Sequence, residues 1–304
     1  MQFDDLRSDM DSLLATKGGV AGAGLPRRSA LQLALGVGLG LGYAAAAGPV
    51  MAQTAISTPA DGLTEGEIHI DVNGYKLPAY RAVPAGKSAA PVVLVISEIF
   101  GVHEYIADTC RRLARAGYMA IAPRLFVRQG DPMAYTEIAQ LLNEVIARVP
   151  DEQVMTDLDA AVQWAADNGG DVKKLAVTGF CWGGRITWLY AAHGPVKAAV
   201  AWYGRMQGME TLLQPEQPIE QVASLKAPVL GLYGGRDAGI PLESVQAMDA
   251  ALKQGSDAAR GSEFVVYTEA PHAFHADYRP SYREYAAKDG WERMLGWFAK
   301  HGVA

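Results

Sequence analysis

From residue 67 onward, short apolar runs alternate with longer stretches whose apolar positions recur at helical spacing. Glu67–Val72 and Ala79–Val83 predict two strands around Asn73-Gly74, a hairpin turn pair. Pro91–Ser97 (PVVLVIS) is a continuous apolar run, rich in β-branched residues, as in a strand buried on both faces. Glu104–Ala116 predicts a helix stopped by Gly117, and Tyr118–Ala122 a strand. Ala134–Ala147 and Glu152–Asp167 predict two helices, the second ended by Asn168-Gly169-Gly170. Leu175–Phe180 predicts a strand, Gly183–Ala192 a helix, and Val196–Trp202 and Pro228–Tyr233 two more strands. Leu242–Gln254 predicts a helix, Phe264–Thr268 the last strand and Tyr282–Lys300 the closing helix. Strand and helix in alternation imply an α/β fold with a mainly parallel central sheet and helices on both faces. With no internal repeat and no low-complexity linker after residue 60, one domain is the simplest reading.

The first fifty residues stand outside this pattern. Pro26-Arg27-Arg28-Ser29 precedes the apolar run ALQLALGVGLGLGYAAAA, and Val50-Met51-Ala52 supplies small residues for a signal peptidase. The adjacent arginines and the Gly-rich, mildly hydrophobic core resemble a twin-arginine signal, although Ala30-Leu31 stands where Phe-Leu is often found. Residues 1–52 are therefore expected to be a cleaved export signal. Residues 53–304 would be the catalytic domain, in a bacterial periplasm and without stable membrane association. The alternative is an uncleaved anchor: the run is about long enough to span a bilayer, but its glycines and alanines weaken that reading.

Composition adds a few limits. The formal net charge is −6, and no basic run exceeds two residues. Nucleic-acid binding, which needs clustered Lys and Arg, is not expected. A local arginine pair still allows an anionic small substrate. The two cysteines, Cys110 and Cys181, would meet an oxidising compartment, where a disulfide is one reading. Against it, a chain of 304 residues needs no staple for its core. Cys110 also lies in a helix-like stretch, whereas Cys181 lies at a turn. No metal or cofactor is expected: the nearest approach to ligand spacing is His272-Ala273-Phe274-His275, without a third ligand.

Open α/β sheets bind ligands beyond the carboxyl ends of their strands. The residues that follow the predicted strands are Glu98, Arg124 with Arg128, Cys181, Tyr203, Asp237 and His272. Gly179-Phe180-Cys181-Trp182-Gly183 is a nucleophile-elbow pattern, G-x-C-x-G, in which small neighbours let a strand turn at once into a helix. The helix N-terminus behind such a side chain favours a thiolate and offers N–H groups to an oxyanion. Cys181, Asp237 and His272 follow the chain order nucleophile, acid, histidine. Each also has a plainer reading. Cys181 fits a buried structural cysteine, Asp237 a cap for the helix at 242–254, and His272 a surface loop residue with His275 as rival.

These motifs together resemble the dienelactone hydrolase (carboxymethylenebutenolidase) family of α/β-hydrolases, over about residues 65–300. The marks are SEIFGV at 97–102, APRLFVRQG at 122–130, GFCWGGR at 179–185, YGGRD at 233–237 and PHAFH at 271–275. The resemblance implies that Cys181 is a nucleophile oriented by His272 and Asp237, and that Glu98 accepts the thiol proton when substrate enters. It implies an oxyanion hole from the backbone N–H groups of Ile99 and Trp182. Arg128 would pair with a substrate carboxylate, and Tyr203 would line the substrate. The family's second substrate-binding arginine falls at Ala276, with Asp277 and Arg279 following instead. Asp277 is expected to repel a carboxylate there. The implied activity is hydrolysis of a lactone such as dienelactone through an acyl-thioester. Broader small-ester hydrolysis is the alternative, and a thiol redox protein using Cys181 or a binding protein without turnover would be different classes.

Overall fold

The structure is a computed structural model that describes residues 56–208 and 210–304. The expected signal at 1–52 lies outside the described residues. Strands β1 (Leu63–Val72) and β2 (Tyr75–Pro84) form the predicted hairpin. Asn73 and Gly74 both take positive φ, 52° and 88°, and the Gly74 N–H donates to Asp71 Oδ1 at 2.9 Å. Two central residues at positive φ match the twist of the flanking strands, which is why Asn-Gly suits this turn.

The other elements are β3 (Ala90–Ile96), α1 (Glu104–Arg115), β4 (Met119–Pro123), α2 (Ile138–Glu144), α3 (Asp151–Asp167) and β5 (Gly170–Phe180). Then come α4 (Trp182–His193), β6 (Ala198–Trp202), β7 (Val229–Gly234), α5 (Leu242–Leu252), α6 (Asp257–Arg260), β8 (Glu263–Tyr267) and α7 (Glu284–Lys300). The eight strands form one sheet in the order β1-β2-β4-β3-β5-β6-β7-β8. All pairings are parallel except β1 with β2 and β2 with β4. This is the mainly parallel α/β sheet expected from the alternating pattern, in the α/β-hydrolase-like arrangement that the resemblance implies. Every residue of β3, β4, β6 and β7 is buried, as it must be when helices cover both faces. Val92, Val93, Leu94, Val95 and Ile96 are fully buried. Each such side chain contributes about 1.5–3 kcal/mol. The chain leaves β3 toward β4 on one side and returns through β5 on the other. The switch point therefore lies at the carboxyl ends of β3 and β5, and the next chemically active residues are Glu98 and Cys181.

The predicted helix over 134–147 is broken. A 3₁₀ turn covers Pro132–Ala134, α2 is short, and a second 3₁₀ turn covers Ile146–Arg148. Asp131 caps the first turn through Met133 N–H at 3.0 Å. The Gln214 amide donates to the carbonyls of Ile146, at 2.7 Å, and Val149, at 3.1 Å. A side chain from a distant loop thus satisfies carbonyls left over where this segment ends.

Candidate active site

The strand-to-helix turn is one residue long. β5 ends at Phe180, α4 begins at Trp182, and Cys181 stands between them at φ 59°, ψ −115°. A non-glycine residue held there stores about 1–3 kcal/mol of backbone strain. The surroundings hold it in place. Cys181 N–H donates to Trp202 C=O at 3.0 Å, and its own C=O accepts from Gly184 N–H at 3.0 Å and Arg185 N–H at 3.3 Å. The small neighbours are needed for close approach. A Cβ at Gly183 would collide with the carbonyls of Ile96 and Ser97, and one at Gly184 would lie 2.6 Å from the Trp202 oxygen. The nucleophile candidate thus sits on the N-terminus of α4, where the helix dipole favours negative charge.

The loop after β8 carries His272. Its Nδ1 lies 2.6 Å from Asp237 Oδ2, and Asp237 Oδ1 accepts from the N–H groups of Gly239 (2.8 Å) and Ile240 (3.1 Å). One carboxylate therefore both shapes its own turn and orients the imidazole. On the other side of the ring, Cys181 is a charge and hydrogen-bond partner. Burial works against an imidazolium here, but Asp237 and then Cys181 outweigh it, and the His272 pKa rises to about 10. The Tyr203 ring packs edge-on against His272 with centroids 5.1 Å apart, and Tyr203 is itself at positive φ, 39°.

His275 is not interchangeable with His272. Its Nδ1 is 2.6 Å from Tyr105 Oη, and its ring stacks on Phe180 with centroids 5.2 Å apart. Burial, aided by Arg112, lowers its pKa to about 3 and keeps it neutral.

Glu98 follows β3 and is buried. Its Oε2 accepts from Tyr278 Oη–H at 2.5 Å, and that hydroxyl in turn accepts from Arg279 Nε–H at 2.9 Å. Arg279 Nη2 and His103 Nε2 each lie 3.8 Å from the same carboxylate oxygen. Burial pushes the carboxyl pKa up, but Arg279, His103 and Tyr278 prevail and lower it to about 2. Glu98 Oε1 has no hydrogen-bond partner among the described residues. The Ile99 and Trp182 N–H groups have no loop or turn backbone acceptor among the described residues, and Trp182 opens α4, where such groups are left over by the helix. Cys181 is only 2% exposed. Its neighbourhood is nonetheless polar: it acts electrostatically on His272, Arg279 and Tyr203.

The family model described as the Dienelactone hydrolase family matches residues 77–302. The chain belongs to the dienelactone hydrolase family. It is 56% identical, over 264 residues, to a "Putative carboxymethylenebutenolidase" of Methylorubrum extorquens, covering 86% of this chain and 90% of the relative. A protein of the same description from Escherichia coli (strain K12) is 53% identical over 262 residues, covering 86% and 95%. The crystal structure of a "Putative Dienelactone Hydrolase" from Klebsiella pneumoniae superposes with a TM-score of 0.76 at 55% identity, covering 78% of this chain and 99% of that one. The chain is thus a hydrolase of this family, with the α/β-hydrolase-like fold.

Two residues of the family pattern are already paired within the chain. Arg128 forks onto Asp157, at 2.7 and 2.9 Å, and its guanidinium lies over the Tyr75 ring at 4.2 Å. It is committed to a structural pair whose carboxylate is fully buried. Asp277 Oδ2 accepts from Arg112 Nη2 of α1 at 2.5 Å, and its buried Oδ1 has no hydrogen-bond partner among the described residues. Arg124 is likewise occupied, by Glu67 and by the Val102 carbonyl. Neither cysteine is in a disulfide, and burial within α1 pushes the Cys110 pKa well up. Two residues around Glu98, His103 and Tyr278, escaped the sequence reading, and Arg279 was named there only as following Ala276. His103 lies five positions beyond Glu98 and was within reach of a search past the strand end. Tyr278 and Arg279 sit in a loop with no periodic signal, and only the missing arginine at Ala276 hinted that a substitute was near.

Proposed function

We propose that this member of the dienelactone hydrolase family hydrolyses a lactone or small activated ester through a Cys181 acyl-thioester. One observation carries the reading: a strained elbow thiol shares the imidazole of His272 with the carboxylate of Asp237. The Cys181 proton passes to His272 Nε2, giving a thiolate–imidazolium pair that the raised His272 pKa favours, or to Glu98 Oε1 once Arg279 no longer holds the carboxylate charge. With Arg279 and the Tyr278 hydroxyl in place, a carboxyl whose pKa is about 2 is a poor proton acceptor. The sulfur attacks the carbonyl carbon, and the backbone N–H groups of Ile99 and Trp182 receive the oxyanion. As the tetrahedral species collapses, the His272 imidazolium donates its proton to the departing oxygen. For a lactone, that oxygen stays tethered to the acyl chain. Water, deprotonated by neutral His272, then attacks the thioester and regenerates the thiol. Asp237 keeps the imidazole in the tautomer this requires and stabilises its charged form. Residues 1–52 direct export, leaving residues 53–304 as the mature periplasmic enzyme. N-terminal sequencing of the protein from fractionated cells tests that part.

The enzymatic test is hydrolysis of p-nitrophenyl acetate and a butenolide by the full chain and by Cys181→Ala. Turnover by the parent and none by the variant is expected. A variant retaining most of the activity refutes Cys181 as nucleophile.

A further inference from the structure

Helix α1 is tied to the loop after β8 at two points. Tyr105 Oη lies 2.6 Å from His275 Nδ1, and Arg112 Nη2 donates to Asp277 Oδ2 at 2.5 Å. Tyr105 and Arg112 are about two helical turns apart, so both ties leave one face of α1. The first tie comes shortly after His272 in the chain, and the second comes just before Tyr278 and Arg279. One loop thus carries the imidazole at Cys181 and the two groups that hold Glu98.

The second tie is braced from within the helix. Asp108 Oδ2 accepts from Arg112 Nε–H at 2.6 Å, and Asp108 Oδ1 accepts from Thr58 N–H at 2.5 Å and Arg111 Nη2 at 3.2 Å. The Asp108 and Asp277 side chains are fully buried, so the guanidinium between them is fixed on two sides. Beyond Asp277 the chain turns, with Arg279 N–H donating to the Ala276 carbonyl at 3.0 Å. The turn brings the Tyr278 hydroxyl to Glu98 Oε2 and lays the Arg279 guanidinium over the Phe100 ring at 4.8 Å. Glu98 also interacts electrostatically with His103, Tyr105, Tyr203 and His275. Of the groups around Glu98, only Tyr278 and Arg279 sit directly after Asp277 in the chain.

We propose that Asp277 is a positioning residue for Glu98: held by Arg112, it sets the turn that brings the Tyr278 hydroxyl and the Arg279 guanidinium to the Glu98 carboxylate. The proposal rests on the hydrolase reading above, in which Glu98 is the second acceptor open to the Cys181 proton. While the turn is in place, the carboxylate is held as an anion. Displacing the turn frees it for that proton.

The test is a carboxyl titration by NMR of the full chain, labelled with 13C at the glutamate side-chain carboxyl. The Glu98 signal is assigned by its loss in Glu98→Gln. Position and charge predict opposite signs. Asp277 is a negative neighbour, so loss of its charge alone would leave the Glu98 pKa at about 2 or lower it. Loss of its hold on the turn raises it. Asp277→Ala, which removes the acceptor for Arg112, is expected to raise the Glu98 pKa by about 1–3 pH units. Asp277→Ser, too short to reach Arg112, is expected to do the same. Asp277→Asn keeps an oxygen for Arg112 and places its amide where Oδ1 has no hydrogen-bond partner among the described residues, so it should stay near the parent value. Arg112 retains Asp108 in all three variants, so no buried cation is stranded. The inference is overturned if the folded alanine and serine variants leave the Glu98 titration unmoved or lower it, or if Asp277→Asn raises it as far as they do. Absence of ester turnover by the parent would count against the hydrolase reading, whereas the titration still decides the positioning.

Discussion

Asp237→Asn perturbs the site with little change of shape. The Asn side-chain oxygen still caps Gly239 and Ile240, where Asp237 Oδ1 now accepts at 2.8 and 3.1 Å. The other side-chain atom becomes an N–H₂ group facing His272 Nδ1, where a carboxylate oxygen now stands at 2.6 Å. A donor there forces the ring proton onto Nε2, the nitrogen that must accept the thiol proton. Two effects follow. The imidazole is fixed in the wrong tautomer, an error that costs about 10⁴-fold in kcat in triad enzymes. The His272 pKa also falls, because Asp237 is the largest influence holding it at about 10 against burial. The rise from 6.5 to about 10 corresponds to on the order of 5 kcal/mol at ~1.4 kcal/mol per pH unit. Since the folded-state value is the higher one, this stabilisation is complete below pH 6.5 and is lost as pH rises through about 10. The parent should therefore lose stability between those pH values, and the variant should show a much flatter profile. Denaturant unfolding across that range, histidine NMR titration and ester kinetics read the two effects separately. Full turnover in the variant, or an unmoved His272 titration, would refute the reasoning.

Other expected outcomes follow from single contacts. Gly183→Ala should cost about 1–3 kcal/mol in denaturant unfolding, because the new methyl meets backbone carbonyls that have no room to yield. Tyr278→Phe deletes a hydrogen bond that lowers the Glu98 pKa, which should rise from about 2. Because the depressed value stabilises the fold above pH 4.5 and this is lost as pH falls toward 2, acid unfolding monitored by circular dichroism should move to higher pH. Arg128→Met should destabilise by about 3–5 kcal/mol, since it strands the buried Asp157 carboxylate. Cys110→Ala should leave ester turnover unchanged. A thiol redox role that cycles through a bridge to Cys110 predicts loss of function instead.

The repeating strands and helices were legible because parallel strands buried on both faces read as apolar runs such as Pro91–Ser97. The helix at 134–147 is interrupted because Tyr135 and Glu137 take extended backbone, and its end is tied by Gln214, nearly seventy residues further on, a long-range contact that no local pattern carries. Cys181, Asp237 and His272 were legible because each follows a strand and because the elbow requires glycines at fixed offsets. The pairing of Arg128 was not legible because its partner, Asp157, lies on a helix whose contact depends on the tertiary fold. Tyr278, and the placing of Arg279 on Glu98, were out of reach for a related reason: both come from folding the loop after β8 back over Glu98, not from position along the chain.

Trapping the acyl-enzyme tests the central claim most directly. The full chain is mixed with p-nitrophenyl acetate, quenched in acid during turnover, digested and analysed by mass spectrometry. The account predicts an acetyl group on the peptide bearing Cys181, released by hydroxylamine and absent from Cys181→Ala. Turnover with acetyl on a different residue, or without any adduct at the sulfur, contradicts it.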